Sequence, residues 1–204
     1  MKPEYEKIIE PAERSFTAKV VNRKSRPLLS QAWHYHPELE ICFTVKSSGR
    51  RFVGNQIADY AAGDLVMIGS NLPHGFTTED YSSQIVVQMA EDFLGRQFLA
   101  APEAHAIRAL FTRSAQGLAF AGPVNHKAHK VMKKLLRANG LTKLRRLLEL
   151  LQLLAETEDV NPICSREYAM DFNVEDLGRV KLVYDHVMEH FKEEVSIPEL
   201  AAKL

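Results

Sequence analysis

Neither sign of charge dominates this chain: 26 Lys and Arg stand against 26 Asp and Glu in 204 residues. That balance excludes a protein whose whole surface is a basic footprint for nucleic acid. Long apolar runs are missing as well. The longest, Leu147 to Ala155, is broken by Glu149 and Gln152 and falls well short of the ~20 residues that cross a bilayer. The amino-terminal stretch Met1-Lys2-Pro3-Glu4-Tyr5-Glu6-Lys7 mixes both signs and lacks the apolar core of a signal peptide. Cysteine is scarce, Cys42 and Cys164 alone, which is too few for a disulfide framework. The expectation is a soluble, cytoplasmic protein without a membrane segment.

What the chain does have is concentrated between Trp33 and Phe76. The dense piece is Trp33-His34-Tyr35-His36-Pro37-Glu38-Leu39-Glu40. On a strand His34 and His36 share one face, two rises of about 3.3 Å apart, close enough for two imidazoles to meet one ligand. Glu40 has the same parity but would sit about 20 Å from His34 on a straight strand, at about 3.3 Å per residue. If Glu40 joins the histidines, the chain must turn between them, and Pro37 is the place, since it cannot donate to a ladder and restricts its predecessor. His74 enters from a second turn-flavoured segment, Asn71-Leu72-Pro73-His74.

From Glu38 to Val45 the odd positions are Leu39, Ile41, Phe43 and Val45, and the even positions Glu38, Glu40, Cys42 and Thr44. Such alternation marks a strand with one apolar and one polar face; in a closed barrel the polar face looks into a cavity. Further short strands are expected at 15–24, 51–53, 65–68 and 83–89, separated by turns at Ser48-Gly49, Gly54-Asn55, Ala62-Gly63-Asp64 and Gly69 to Pro73. That pace indicates a small antiparallel barrel or sandwich. Cys42 reads as a small core residue rather than a nucleophile. Trp33 and Tyr35, opposite in parity to the histidines, read as packing residues, and Glu38 as an outward acceptor for Arg50 or Arg51.

The period changes after Glu91. Ile107, Leu110 and Phe111 repeat at helical spacing behind Pro102-Glu103, a brief strand is expected at 118–120, and helices at about 125–138 and from Thr142, as cap, to Glu156. Lys127 through Arg146 carries eight Lys or Arg and no acid, the pattern of a solvated helix face. In the last of these helices Leu144, Leu147, Leu148, Leu151 and Leu154 form one stripe, while Leu150 and Leu153 lie on a second face. Either the second face meets a partner chain or both are buried in one subunit. The polar segment 161–176 reads as a linker. A helical pattern over 177–191 and a capping box at Ser196-Ile197-Pro198-Glu199 follow, with a further helix beginning at Leu200.

These residues carry a resemblance. His34-x-His36-x3-Glu40 resembles the first cupin motif, and Gly63-x10-His74 with Pro73 before the histidine resembles the second. The string HYHPELEI…GRRFVGNQIADYAAGDLVMIGSNLPHGF is similar to the amino-terminal sensor domain of AraC/XylS-type transcriptional regulators, over roughly the first half of the chain. Leu28 stands where the cupin pattern has a leading glycine, Gly49 falls two residues late, Gly69-Ser70-Asn71 replaces Pro-x-Gly, and Thr78 replaces the later asparagine. The implied fold is α+β: a cupin-like antiparallel β-barrel (double-stranded β-helix) followed by α-helices. The implied domains are 1–122, a sensor barrel with attached helix; 123–160, a dimerising helical pair; 161–176, a linker; and 177–204, the start of a helix-turn-helix domain. The recognition helix that would enter the major groove lies beyond this pattern.

The resemblance implies a ligand-sensing domain of a DNA-binding regulator, with a small-molecule effector in the barrel, DNA bound through the carboxy-terminal domain, and a homodimer through Leu150 and Leu153. The ligand-binding set is His34, His36, Glu40, Cys42 and His74. His34, His36, Glu40 and His74 also suit a divalent metal, Zn²⁺, Ni²⁺, Mn²⁺ or Fe²⁺; the competing reading has them hydrogen-bonding an organic effector. A metal-dependent cupin enzyme, isomerase or dioxygenase, is the alternative. It would need an acid or base beside the metal, for which only Glu38 or Tyr60 offers itself, so no catalytic residue is assigned.

Overall fold

The alternation along residues 38–45 becomes one eight-residue strand, β4 (Leu39–Lys46), and its two faces set the layers of the molecule. In the computed structural model, which describes residues 3–8, 15–23, 33–78, 81–165 and 168, β4 is central to the larger of two sheets. That sheet also holds β2 (Phe16–Arg23), β7 (Leu65–Ile68), β9 (Ser82–Met89), β10 (Leu118–Phe120) and β11 (Val160–Pro162), in the order β11-β10-β7-β4-β9-β2. The smaller sheet contains β1 (Glu4–Tyr5), β3 (His34–Tyr35), β5 (Gly49–Val53), β6 (Gln56–Tyr60) and β8 (His74–Thr78), ordered β1-β3-β8-β5-β6. The expected closed barrel is therefore observed as two separate hydrogen-bonded sheets among the described residues.

Leu39, Ile41 and Phe43 of β4 join Leu65, Met67, Ile85, Val87 and Met89 in a core shared with the helices. The even residues face the other way. Cys42, Val66, Ile68 and Val86 meet Val53, Tyr60 and Phe76 of the smaller sheet in a second apolar cluster. The larger sheet thus has helices on one face and the smaller sheet on the other, which is why β7 is apolar at every position.

Four helices follow among the described residues: α1 (Arg96–Ala100), α2 (His105–Ser114), α3 (Pro123–Arg137) and α4 (Gly140–Ala155). α3 starts two residues earlier than expected, on Pro123, whose fixed φ and missing N–H suit the first turn. α4 begins at Gly140, with extended Asn139 before it, so Thr142 lies inside the helix and does not cap it. Gly49, expected in a turn, is a strand residue: a Cβ there would lie 2.0 Å from the Thr77 carbonyl oxygen. No helix among the described residues is long and apolar enough to cross a membrane.

The two-faced leucine helix resolves inside one chain at Leu150. Leu147, Leu150, Leu151 and Leu154 are all 0% exposed and belong to the core built with α2, α3 and the larger sheet. α4 contacts both α2 and α3, so it needs apolar surface on more than one side. This corrects the assignment of Leu150 to a dimer interface; Leu153 is half-buried and packs against the same core.

The described residues all lie within one compact unit, residues 1–169. The expected helix-turn-helix start at 177–204 lies outside the described residues, as does most of the linker. The part of that linker that is described is ordered on the larger sheet: β11 pairs antiparallel with β10, and the Cys164 N–H donates to the Gln116 carbonyl at 2.9 Å.

Leu150→Ala should lower stability by about 2–5 kcal/mol, the cost of a cavity at a fully buried leucine. Urea unfolding measures it, with sedimentation run alongside. A variant of unchanged stability but smaller mass would return Leu150 to an interface.

Candidate metal centre

His34 leaves the smaller sheet at the end where Leu39 enters the larger one. Between them Pro37 and Glu38 form a bend, the turn that the shared parity of His34 and Glu40 required. The crossing is held by the Asn71 N–H, which donates to the His36 carbonyl at 2.8 Å; Asn71 itself has φ 59°, a left-handed conformation that asparagine tolerates. β8 then begins with His74 directly opposite His34 across an antiparallel pair. A bend, a turn and two sheets thereby bring His34, His36 and Glu40 of one segment and the distant His74 to one seam.

The three imidazoles each offer a nitrogen within 4.8 Å of the others. His36 and His74 are 1% exposed. Each ties Nδ1 to a nearby backbone carbonyl, His36 to Glu38 at 3.0 Å and His74 to Leu72 at 2.8 Å. A carbonyl only accepts, so Nδ1 carries the proton in both rings and Nε2 presents a lone pair. Those Nε2 atoms are buried with no hydrogen-bond partner. What they face is Glu40, with Oε2 at 3.4 Å from His36 Nε2 and Oε1 at 3.7 Å from His74 Nε2. Lone pairs and a carboxylate converging without a proton between them form a receptor for a cation.

Burial would raise the Glu40 carboxyl, but in the acid range the contact with His36 and the positive charges that His74, His36 and His34 carry once protonated outweigh it and hold it down to about 2. Burial pushes His74 down to about 4, against the attraction of Glu40. Both groups therefore sit near neutral pH in the forms a metal needs, carboxylate and neutral imidazole. The donor set of three nitrogens and one carboxylate fits Zn²⁺, Ni²⁺, Mn²⁺ or Fe²⁺.

Two contributors had no place in the sequence reading. Gln88 on β9 stands opposite Glu40 in register and donates from Nε2 to Glu40 Oε2 at 2.8 Å; Gln84 and Gln88 share the parity of Val86, the inward side of β9, and that alternation was the available signal. Glu6 reaches His34 Nε2 at 3.0 Å from the amino-terminal strand, and nothing in the local pattern announces it.

Other expected site residues fall elsewhere. Cys42 shares the face of Glu40 but lies in the apolar packing between the sheets, 2% exposed, and burial drives its thiol well above the usual range. A protonated, buried thiol of this kind is packing, not a ligand. Glu38 does not reach an arginine: its Oε2 lies 3.5 Å from His36 Nδ1, while Arg51 pairs with Asp64. Asp64 is thus an ion-pair partner as well as a residue beside a turn. Trp33 packs edge-on against Phe52, and Tyr35 against Tyr5, as packing residues would.

No family profile matches this sequence, and no curated protein does. Solved structures with related backbones include a serine-to-alanine mutant of Bacillus subtilis oxalate decarboxylase, at 21% identity and TM-score 0.33 over 38% of this chain and 22% of that one. A cupin from Shewanella frigidimarina, described as RmlC-like, matches at 18% identity and TM-score 0.34, over 39% of this chain and 72% of its own. ToxT from Vibrio cholerae matches over 93% of this chain and 71% of its own, at 10% identity and TM-score 0.48. The chain thus spans less than a quarter of the decarboxylase. At these identities and scores the functional reading rests on the chain's own residues.

The pH dependence of folding follows from the two shifts in the metal-free protein. Unfolded His74 binds a proton below about 6.5 and folded His74 only below about 4, so stability falls as pH drops from 6.5 to 4. Glu40, at 4.5 unfolded and about 2 folded, adds a second loss between 4.5 and 2. Urea midpoints of chelator-treated protein should decline through the upper window, and His74→Gln should flatten that part. A midpoint constant from pH 7 to 4.5 contradicts the assignment.

Proposed function

We propose that this chain is the sensing part of an AraC/XylS-type transcriptional regulator, with a divalent cation held by His34, His36, Glu40 and His74 as part of its effector site. When bound, the cation would offer Lewis-acid coordination to an oxygen-bearing small molecule. The observation that carries this reading is the double use of β4. Glu40 turns into the seam between the sheets, and its neighbours Leu39 and Ile41 turn into the core shared with α2, α3 and α4. Any shift of β4 on occupancy reaches the helices through one strand, without an intervening loop. Sensing requires such an element, with differential affinity between two arrangements.

DNA would be bound through the carboxy-terminal domain of the full-length protein. A homodimer, if it uses α4, would draw on Leu153 and its exposed neighbours, not on Leu150. A regulator of this kind works in the cytoplasm. The enzyme alternative would draw its acid or base from Glu38, whose buried Oε2 has no hydrogen-bond partner and lies 3.5 Å from His36 Nδ1, or from Tyr60, whose hydroxyl is 3.4 Å from Ser47 Oγ.

Loading with Zn²⁺, Ni²⁺, Mn²⁺ or Fe²⁺ followed by dialysis and elemental analysis should leave one ion per chain, lost in a His36→Ala, His74→Ala variant. Equal content in both proteins removes the site. For the regulator reading, a small molecule should change the affinity of the full-length protein for a specific DNA site at fixed salt. Turnover of a small molecule without any DNA response supports the enzyme instead.

A further inference from the structure

β9 carries two buried glutamines on one face, Gln84 and Gln88, with Val86 of the second apolar cluster between them. Their partners differ. Gln84 Nε2 donates to the Thr44 hydroxyl, a neutral group, at 3.5 Å. Gln88 Nε2 donates to Glu40 Oε2 at 2.8 Å. An ionised carboxylate only accepts, so the sense of the Gln88 amide is fixed and its oxygen is turned away from Glu40. On that side stands Thr17 of β2, in register with Gln88, its hydroxyl 3.4 Å from Gln88 Oε1. Thr17, Gln88 and Glu40 thus form one row across β2, β9 and β4.

That row leaves the two carboxylate oxygens of Glu40 unlike. Oε2 is held by Gln88. Oε1 makes no hydrogen bond among the described residues, and it lies 3.7 Å from His74 Nε2, a buried atom likewise without one. We infer that Gln88 is a positioning residue of the cation site: it keeps Oε2 and leaves Oε1 as the ligand atom, so that Glu40 coordinates through one oxygen. A neutral amide suits the task. A cationic donor at this position would repel the bound ion, and a second carboxylate would repel Glu40. Gln88 is not itself a ligand, because the atom it turns toward the site is an amide nitrogen with no lone pair to give. Ligating carboxylates are commonly held by such outer hydrogen bonds, and losing one weakens metal binding. This inference rests on the cation reading above.

Infrared spectra of the full chain, ion-free and loaded with Zn²⁺, test it. The gap between the antisymmetric and symmetric carboxylate stretches widens when one oxygen coordinates and narrows when both do. The parent should show a widened gap on loading. Gln88→Leu releases Oε2, so its gap should narrow, and its Zn²⁺ affinity, measured against a competing chelator, should fall about 10- to 100-fold. Gln84→Leu makes the same change on the same face of β9, at a residue equally buried, and should keep the bands and affinity of the parent. That control separates positioning from a general loosening of the strand. Should Gln88→Leu not fold, the bands of the loaded parent still decide. A narrowed gap in the loaded parent, unchanged affinity in Gln88→Leu, or equal losses in the two variants overturns the inference alone. A parent chain that takes up no Zn²⁺ overturns it together with the cation reading.

Discussion

Three residues, His36 to Glu38, carry the chain from one sheet into the other, and the arrangement of the seam depends on that passage. A continuous strand from His34 to Glu40 would have kept the two ends of the motif far apart on one face. The break at Pro37 moves Glu40 into the larger sheet and leaves His34 in the smaller, so that the gap between layers separates them instead of a strand length. Burial makes the geometry consequential. A carboxylate out of water costs several kcal/mol unless it is paired, and at Glu40 the compensation among the described residues is one amide hydrogen bond, from Gln88, with two imidazole nitrogens at 3.4 and 3.7 Å that carry no proton toward it. The imidazoles in turn face the carboxylate with lone pairs. A cation at that point satisfies all of these groups together, which no single proton does.

β4 ties this electrostatic centre to the mechanical body of the protein. Glu40 and Cys42 face the smaller sheet while Leu39, Ile41 and Phe43 face the helical core, so a displacement of Glu40 displaces Leu39 and Ile41. Cores packed at native density transmit such shifts because they have little free volume to absorb them. α4, with four leucines fully buried, is packed into that same core. The same arrangement places the basic positions Lys130, Lys133, Lys134 and Arg137 of α3 on its exposed side, in keeping with a solvated helix face.

Much of this was legible from residue order. Period-two alternation in residues 38–45 identified the central strand and both of its faces, and the parity argument located the turn at Pro37. Gly54 and Gly63, expected in turns, adopt positive φ. The rest depended on partners distant in the chain. Glu6 reaches His34 through a two-residue parallel pairing that no local pattern encodes. The fate of Leu150 was open because a helix apolar on two sides reads alike whether the second side meets α2, α3 or another chain. Cys42 had the right parity for the site but the wrong position along the strand, among Val66 and Val86 and not beside the imidazoles. Glu38 and Arg51 looked like a surface pair in sequence, yet the arginine turns inward to Asp64.

X-ray absorption at the zinc edge of the zinc-loaded chain addresses the central claim most directly, because it counts ligand types without reference to activity. The account predicts a shell of nitrogen and oxygen at about 2.0–2.1 Å, with the outer-shell scattering of three imidazoles and no sulfur. A sulfur neighbour at about 2.3 Å, which would bring in Cys42 or Cys164, or a shell with fewer than two imidazoles, would contradict it.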